Sequence, residues 1–311
     1  MQLIRGLHNL SGFDDGCVLT IGNFDGIHRG HQAILDRLLH CAEEHNLPSA
    51  VMFFDPHPEE IFRPDVAPAR LSRFRDKINF LRNYGIEKLI LVKFSQSFSQ
   101  MSHEHFVKDI LVSKLAVKHL IIGDDFHFGY RRQGNYDYLK AHAEEGGYGL
   151  ENTPTLSLDG VRISSTYVRQ SLAENNLERA ENLLGRPYII SGKVVHGDKR
   201  GRTIGFPTAN VLLHRKKSPV NGVFAVSVTM TSSPEKPPIY GVANIGTRPT
   251  LGGERLQLEV HLYNWDKDIY GAHITVEFVR FIRAEKKFND FAELQQQITL
   301  DSQQAKDVFN I

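Results

Sequence analysis

Short apolar segments alternate with amphipathic segments through the first half of the chain. The apolar segments have the length and side-chain content of buried strands. They cover residues 17–21, 50–54, 88–94 and 119–122. Between them, apolar side chains recur every three or four positions, as Ile34 and Leu38 do, which is typical of one face of a helix. Strands that alternate with helices predict βαβ units, and hence an α/β domain around a parallel sheet.

The pattern changes near Gly185. Residues 177–184 have helical spacing, and Gly185 suits the C-terminal cap of that helix. Beyond it, apolar and polar positions alternate with a period close to two, and turns with glycine or proline separate the segments. The predicted strands cover residues 188–195, 223–230, 239–245, 256–263 and 274–282. This pattern predicts a small antiparallel β-barrel with a terminal helix at residues 290–309. The predicted domains are residues 1–185 and 186–311.

Composition limits the classes of function. The chain has 311 residues, a typical length for two domains, and a formal net charge of +1. It therefore lacks the basic excess of a non-specific nucleic-acid binder. Cys17 and Cys41 fit no disulfide framework, which favours a reducing compartment. With neither a signal-peptide pattern nor about 18 consecutive apolar residues, we expect a cytoplasmic protein that binds no membrane. Oligomeric state stays open.

Residues 22–31, with the sequence GNFDGIHRGH, lie where the first strand gives way to the first helix. That junction is the usual ligand crevice of a parallel sheet, and free N–H groups at a helix N-terminus attract anions. His28 and His31 share one helical face. An isolated pair of this kind would indicate a surface helix start, whereas the whole string favours nucleotidyl transfer. A zinc site at this pair would need further ligands, and no third cysteine or HExxH pattern supports one.

The same ten residues resemble the signature of the nucleotidylyltransferase superfamily, with its HxGH core. They are most similar to the version found in prokaryotic bifunctional riboflavin kinase/FAD synthetases. The resemblance implies a Rossmann-like nucleotidylyltransferase domain that adenylylates FMN, with the two histidines as catalytic residues. It also implies a set of ATP contacts. These are Gly22, Asn23, Phe24, Asp25, His28 and His31.

A second segment, residues 162–169 with the sequence RISSTYVR, resembles the RISSTxxR motif of the same family. Ser165 and Thr166 are typical of a helix N-cap, and a cap and a phosphate contact are compatible because both use a helix N-terminus. Arg162 and Arg169 are suited to neutralising triphosphate oxygens. The resemblance implies that all four residues contact ATP.

Two further segments resemble the flavin side of the adenylyltransferase site. Residues 123–129 follow a strand and supply Asp125, Phe126 and Phe128 as flavin contacts. Phe126 and Phe128 suit either stacking on an isoalloxazine ring or packing in the core. Residues 54–58 end the second strand and supply Phe54 and His57 as further contacts on this side.

Residues 197–210 are rich in glycine. Gly197, Gly201 and Gly205 could cradle phosphates, although their spacing alone is equally typical of an ordinary turn, and it is not a Walker A loop. The segment ends in PTAN at residues 207–210, which resembles the PTAN motif of riboflavin kinases. The resemblance implies that Thr208 and Asn210 help to hold Mg²⁺ and the nucleotide phosphates, since Mg²⁺ prefers oxygen ligands.

Residues 256–263 alternate strictly, and this places Glu259 on the polar face of a strand. From alternation alone, Glu259 would belong to a solvated face. Resemblance to riboflavin kinases implies instead that it is the catalytic base that accepts the proton of a ribityl hydroxyl. Arg283, Glu285 and Phe288 also match that family and would border the flavin, or else form an ion pair and a core aromatic.

Together the two motif sets predict two ATP-dependent reactions, riboflavin to FMN and FMN to FAD, with Mg²⁺ as cofactor. They lie in the expected order on opposite sides of the change in pattern. Two alternatives remain. A nucleotidyltransferase for another phosphorylated acceptor would explain His28 and His31 but not the barrel. A flavin-binding regulator without turnover would bind flavin and consume no ATP. In each case the expected ligands are small molecules.

Overall fold

The computed structural model describes residues 1–196, 206–213, 215, 217–250 and 253–311. The chain divides into two compact units. The first comprises Met1–Pro68 and Phe74–Ser164, and the second comprises Ala69–Arg73 and Ser165–Ile311. The short segment Ala69–Arg73 belongs to the second unit although the first unit surrounds it in sequence.

The first unit alternates strands with helices in chain order. Its elements are β1 (Gln2–Arg5), β2 (Cys17–Ile21), α1 (Arg29–His45), β3 (Ser49–Asp55), α2 (Pro58–Phe62), α3 (Phe74–Asn83), β4 (Lys88–Lys93), α4 (His103–His105) continued by a π-helix (Phe106–Lys114), β5 (Val117–Gly123), α5 (Tyr136–Ala141), α6 (Ala143–Gly146), β6 (Gly149–Thr153), and the hairpin strands β7 (Ser157–Leu158) and β8 (Val161–Arg162). Three single turns of 3₁₀-helix, Leu7–Asn9, Phe98–Gln100 and Tyr130–Arg132, occur in its loops.

Six strands form one parallel sheet in the order β1-β4-β3-β2-β5-β6. The predicted parallel α/β domain is therefore confirmed. The sequence pattern missed β1 and β6 because both are edge strands, and neither is an apolar run. From β2 the chain proceeds to β3 and β4 on one side, and then crosses to β5 and β6 on the other. The order thus reverses between β2 and β5, which creates a crevice at the carboxyl ends of these strands.

Both faces of the sheet are covered. Successive side chains of a strand point to opposite faces, and in β3 they alternate between two buried clusters, with Met52 in one and Phe53 in the other. The cluster around Phe53 includes Leu35 and Leu38 of α1, whereas the π-helix packs into the other cluster. α1 ends where Asn46 adopts a left-handed conformation, with φ of 52°, and donates to the last carbonyls of the helix.

The second unit begins with two helices and continues into the barrel. Its elements are α7 (Ser165–Ala173), α8 (Leu177–Leu184), β9 (Ile189–Val195), β10 (Ala209–Leu212), β11 (Gly222–Met230), β12 (Ile239–Thr250), β13 (Gly253–Leu262), β14 (His273–Arg283) and α9 (Phe291–Phe309). As predicted, Gly185 caps α8 in a left-handed conformation.

The barrel is closed and antiparallel, in the order β10-β13-β12-β11-β14-β9. The predicted barrel with a terminal helix is confirmed. Its sixth strand, β10, has only four residues and follows the PT of the PTAN segment, so periodicity did not reveal it. Closure depends on this strand because it pairs with both β13 and β9. The segment Ala69–Arg73 is tied to the same unit, since Arg73 Nη1 donates to the Ser191 carbonyl at 2.5 Å.

We expect Leu38→Ala to lower the free energy of unfolding of the first unit by about 2–5 kcal/mol, because Leu38 is fully buried beneath the sheet. Glu43→Ala on an exposed position of the same helix serves as the control and should change it by less than about 0.5 kcal/mol. Denaturant unfolding of the full-length chain measures both. Equal effects of the two substitutions would contradict the position of Leu38 in the core.

Candidate active sites

The sheet topology brings the predicted adenylyltransferase segments to one edge of the first unit. Residues 22–31 follow β2 and residues 124–129 follow β5, the two strands between which the order reverses. His57 follows β3, the neighbour of β2. In a parallel sheet all of these segments lie beyond the carboxyl ends of the strands, where ligands bind. The first candidate site is therefore this crevice.

The turn between β2 and α1 is held by burial of its own side chains. Phe24 and Ile27 adopt left-handed backbone conformations, with φ of 48° and 41°, and both side chains are 1% exposed. Such conformations are unfavourable for residues with a Cβ, and most of all for β-branched ones. Packing of the two side chains into the core stabilises the turn. Asp25 and His28 are also buried within it.

His28 and His31 form a compact pair at the start of α1. His28 is the N-cap, and its Nδ1 accepts from the His31 backbone N–H at 3.3 Å. The two rings stack with centroids 3.7 Å apart and planes inclined by 17°. A Cβ at residue 30 would lie 3.1 Å from His28 Nδ1, so Gly30 leaves room for the ring. The helix N-terminus and two imidazoles therefore occupy one small region, which suits an anionic ligand.

Asn23 is held from two sides. Lys77 Nζ, from α3, donates to the Asn23 backbone carbonyl at 2.5 Å, and Asn23 Nδ2 lies 3.0 Å from His57 Nε2. His57 is itself fixed as the N-cap of α2, in a capping box with Glu60. The sequence analysis did not single out Lys77, because a lysine on an amphipathic helix carries no signal of its own.

Arg162 lies against the loop after β5. Its Nη2 donates to Asp125 Oδ2 at 2.8 Å and lies 3.6 Å from Asp124 Oδ1, while Thr155 Oγ1 donates to Asp124 Oδ2 at 2.6 Å. The arginine predicted for the triphosphate thus contacts the aspartate predicted for the flavin. Both side chains are at least half exposed, so this pair contributes little to stability.

The remaining residues of the RISSTYVR segment belong to the second unit. α7 begins at Ser165, and Ser165 and Thr166 occupy its first turn. Arg169 Nε donates to the Ala69 carbonyl at 2.6 Å and so helps to hold the segment Ala69–Arg73.

The predicted aromatic residues differ in exposure. Phe128 is 8% exposed, packs against Phe106 with ring centroids 5.4 Å apart, and belongs to the core. Phe126 is partly buried and stacks on Phe128, with centroids 5.4 Å apart and planes inclined by 18°. Phe126 is therefore partly accessible, and the buried Phe128 packs against its ring.

Phe54 belongs to an aromatic cluster that the sequence analysis missed. Its ring centroid lies 6.0 Å from that of Phe94 and 5.8 Å from that of Phe98. Phe94 also contacts Phe62, which is 58% exposed. In the sequence, only Phe54 lies in a recognisable motif. The other aromatic residues lie in separate segments, where they are indistinguishable from core residues.

In the second unit, three polar residues form one row across the barrel. Glu259 on β13 pairs with Asn210 on β10 and with Asn244 on β12. Residues directly opposite on neighbouring antiparallel strands have side chains on the same face. Gln257 Nε2 donates to Asn210 Oδ1, and Asn244 Nδ2 donates to Glu285 Oε1 at 3.3 Å. The structure thus brings the predicted Asn210, Glu259 and Glu285 together.

Thr208 lies immediately before β10, and His261 holds this segment. His261 Nδ1 donates to the Pro207 carbonyl at 2.9 Å, and its ring contacts Phe206 edge to face, with centroids 5.1 Å apart. Burial lowers the pKa of His261, the bond to the Pro207 carbonyl opposes this, and nearby Lys306 lowers the pKa further. The net lowering favours the neutral donor form. Sequence reasoning missed His261, whose only signal is its place on the polar face of β13. The predicted phosphate-binding glycines Gly197, Gly201 and Gly205 lie outside the described residues.

Arg283 is engaged by the terminal helix. Its Nε and Nη2 donate to the two carboxylate oxygens of Asp301 at 2.8 and 2.6 Å, and the Asp301 side chain is only 5% exposed. Gln297 Nε2 also donates to Asp301. The guanidinium lies 5.7 Å from the centre of the Phe288 ring, which is partly exposed. The ion-pair partner of Arg283 is therefore Asp301, and Glu285 is bonded instead by Asn244.

The fold and the two residue groups define a class of protein. In this class an α/β unit, with two histidines at the start of its first long helix, accompanies a closed β-barrel with a row of polar residues. The family model described as FAD synthetase matches residues 11–167, and the model described as riboflavin kinase matches residues 184–309. The chain belongs to the family of bifunctional riboflavin kinase/FMN adenylyltransferases.

Relatives of that description match along the full chain. The protein of Escherichia coli strain K12 is 51% identical over 100% of this chain and 99% of its own length. The protein of Haemophilus influenzae is 49% identical over 100% of both chains, and that of Pseudomonas fluorescens is 46% identical over 97% of this chain and 96% of its own.

A crystal structure from Streptococcus pneumoniae, described as a macrolide-efflux protein, shares the fold. Its TM-score is 0.80 with 28% sequence identity, and the match covers 97% of both chains. Among the residues that the structure describes, no helix combines the length and the apolar character needed to cross a membrane.

We expect Arg283→Ala to destabilise the second unit by about 3–5 kcal/mol, because it leaves the buried Asp301 carboxylate without its bidentate partner. Arg280→Ala, on an exposed position of the same strand, is the matched control. Thermal and denaturant unfolding of the full-length chain measure the effect. If Arg283→Ala leaves unfolding unchanged and only weakens flavin binding, the structural role given to this arginine is wrong.

We expect the second unit to lose stability as the pH falls below about 6.5, and His261→Gln to reduce that loss. Because burial lowers the pKa of folded His261, the unfolded chain binds more protons below this pH. Stability therefore rises with pH and levels off above the ordinary histidine pKa. Unfolding of the wild type and the variant between pH 5 and pH 8 checks this, with the exposed His196→Gln as control. Parallel pH curves for wild type and His261→Gln would contradict it.

Proposed function

We propose that residues 186–311 phosphorylate riboflavin with ATP to give FMN and ADP, and that residues 1–185 adenylylate FMN with ATP to give FAD and pyrophosphate. The observation that supports this division most strongly is that two family models match separate parts of the chain, while the bifunctional relatives match all of it. An acceptor other than FMN would leave the barrel without a role, and a regulator would need neither phosphate-binding group.

For adenylyl transfer we propose that the start of α1 holds the ATP triphosphate. The reaction needs positioning and neutralisation of charge more than covalent help from the protein. A phosphate monoester such as FMN has a second pKa of about 6, so its phosphate is largely dianionic at neutral pH and can attack the α-phosphorus without a base. Since Nδ1 of His28 accepts a backbone N–H, Nε2 is the nitrogen that carries the proton of a neutral ring. His28 and His31 then stabilise charge on the phosphates.

Further ATP contacts come from Gly22, Asn23, Phe24 and Asp25 of the same turn in this proposal. Arg162 would exchange its contact with Asp125 for a phosphate oxygen. Breaking that contact would change the free energy little, because both side chains are exposed to solvent. Ser165, Thr166 and Arg169 stay predicted phosphate contacts on the basis of sequence.

On the flavin side we propose that Phe126 stacks on the isoalloxazine ring and that Phe128 supports it from the core. Phe54 and His57 would border the ring from the end of β3. Asp125 is the polar group of this side, and it is free to contact flavin once Arg162 turns to phosphate. An aromatic face is well suited to this ligand because offset stacking adds to the burial of apolar surface.

For the kinase reaction we propose that Glu259 is the general base. The ribityl hydroxyl would give its proton to Glu259 as its oxygen attacks the γ-phosphorus of ATP, and ADP would leave. Glu259 is partly exposed and flanked by two asparagine side chains, so a carboxylate there is accessible and polar in its surroundings. Glu285 and Phe288 would border the flavin, while Asp301 holds Arg283 behind them.

Mg²⁺ fits the residues before and within β10. The Thr208 hydroxyl and the Asn210 amide offer oxygen donors, and Mg²⁺ prefers such donors together with phosphates and water. Asn210 is 6% exposed and its Oδ1 is fixed by Gln257, so the donor is preorganised. When bound, Mg²⁺ would neutralise charge on the phosphates. Gly197, Gly201 and Gly205 remain proposed backbone contacts to ATP. We also propose a cytoplasmic location, since both described cysteines are free thiols.

We expect the two activities to be lost separately. The double variant His28→Ala/His31→Ala should still form FMN but form FAD at least about 100-fold more slowly. Glu259→Gln should slow FMN formation by about 10²–10⁴-fold and still convert supplied FMN to FAD. Incubation of full-length protein with flavin, ATP and Mg²⁺, followed by separation of the flavins, measures both, with oxidised and reduced flavin tested in parallel.

Chelation of Mg²⁺ should stop FMN formation in the wild type. Lys93→Ala on an exposed position serves as a control and should retain both activities. Equal loss of both activities in either folded variant would contradict the assignment of two separate sites. Formation of neither FMN nor FAD by the wild type would contradict the proposed function itself.

A further inference from the structure

A second group of polar side chains lies in the first unit, away from the crevice. Cys41 and His45 are one helical turn apart near the end of α1, and His119 lies on β5. One potential ligand atom from each residue lies within 4.8 Å of the others. At a rise of 1.5 Å per residue, the thirteen residues from His28 to Cys41 span roughly 20 Å along the helix, so the group is remote from the phosphate-binding end.

One nitrogen atom of this group is buried without a hydrogen bond. His119 Nε2 is buried and has no hydrogen-bond partner in the part of the chain that the structure describes. A buried polar atom without a partner is unfavourable by about 1–3 kcal/mol and calls for a ligand. The other side of this ring is crowded by the backbone at Gly149, where a Cβ would collide with it. Nδ1 lies on the crowded side, so Nε2 is the nitrogen available to a ligand.

The hydrogen bonds around this group are of the kind that orient the ligands of a metal site. His45 Nδ1 lies 2.9 Å from the Cys41 carbonyl and 3.6 Å from Cys41 Sγ. A ring nitrogen held by a backbone carbonyl fixes the orientation of a ligating histidine. Glu151 on β6 places Oε2 3.8 Å from His119 Nε2, and Arg37 Nε donates to both Glu151 oxygens at 2.8 and 2.9 Å. The carboxylate is therefore oriented toward the group by a fixed arginine.

We propose that Cys41, His45 and His119 bind a divalent zinc-type cation, with Glu151 as the fourth ligand. Thiolate and imidazole together select Zn²⁺ over Mg²⁺ or Ca²⁺. Bond lengths of about 2.0–2.3 Å place the ligand atoms of a tetrahedral site about 3.3–3.8 Å apart. The observed group would contract by about 1 Å to reach that geometry.

Four protein ligands make this a closed site, which is typical of structural zinc. It would join the end of α1 to β5 and β6, near the partly buried Arg37–Glu151 pair that already links α1 to β6. Binding releases the thiol proton to solvent and leaves a thiolate on the metal.

The test uses the full-length protein, stripped with a chelator and titrated with Zn²⁺ alone. We expect about one Zn²⁺ per chain by elemental analysis and a rise in the unfolding temperature of the first unit. Co²⁺ should give the intense near-ultraviolet thiolate-to-metal band and the visible spectrum of a tetrahedral site. Cys41→Ala, His45→Gln and His119→Gln should each weaken Zn²⁺ binding by at least about tenfold.

Matched controls are Cys17→Ala, which removes the other buried thiol, and His40→Gln, which changes an exposed histidine of the same helix. Both should bind Zn²⁺ and Co²⁺ as the wild type does. His45 is exposed at a helix end, so His45→Gln retains the fold, which circular dichroism verifies. Failure of the wild type to bind micromolar Zn²⁺, or an unchanged Co²⁺ spectrum in Cys41→Ala, would overturn the proposal. None of these readouts depends on flavin or ATP turnover.

Discussion

The turn between β2 and α1 is the constraint on which the first unit depends. Phe24 and Ile27 hold left-handed backbone conformations, each unfavourable by about 1–3 kcal/mol. Their side chains are buried completely enough to offset that strain. Because the turn is fixed in this way, α1 begins at the carboxyl edge of the sheet with His28 as its cap. The same packing that stabilises the core thus sets the position of the helix end for which we propose phosphate binding.

Closure of the barrel plays the corresponding part in the second unit. A one-residue slip of β13 would move Glu259 to the opposite face of the sheet, because side chains alternate with a period of two. Leu258 and Val260 are fully buried on that opposite face, and this fixes the register. β10 then places Asn210 beside Glu259, and His261 ties the preceding Pro207 to the same strand. The position of the polar residues Asn210 and Glu259 therefore depends on the buried residues Leu258 and Val260, which fix the register of β13.

The sequence predicted those parts of the molecule that have a local signal. Periodicity indicated the buried strands β2 and β3, and the motif around His28 and His31 lay at a strand end, so the crevice could be located. β1 and β10 carry too few apolar residues to stand out. The pairing of Arg283 with Asp301 and of His261 with Pro207 joins residues 18 and 54 positions apart. No spacing rule reveals such contacts, because they are set by the packing of separate elements.

Histidines lie near both ends of α1, and the sequence cannot tell which of them are placed to bind a metal ion. His28 and His31 have the spacing of a metal-binding pair, yet their rings stack nearly parallel at 3.7 Å. A metal ion lies in the plane of each imidazole that binds it, so two stacked rings direct their lone pairs along parallel planes and do not converge on one ion. Moreover, His28 Nδ1 already accepts a backbone N–H. The rings of His45 and His119 are 5.4 Å apart and inclined by 45°, which lets their nitrogens converge beside Cys41. Ring orientation, which the sequence does not contain, thus favours phosphate at one end of the helix and a soft cation at the other.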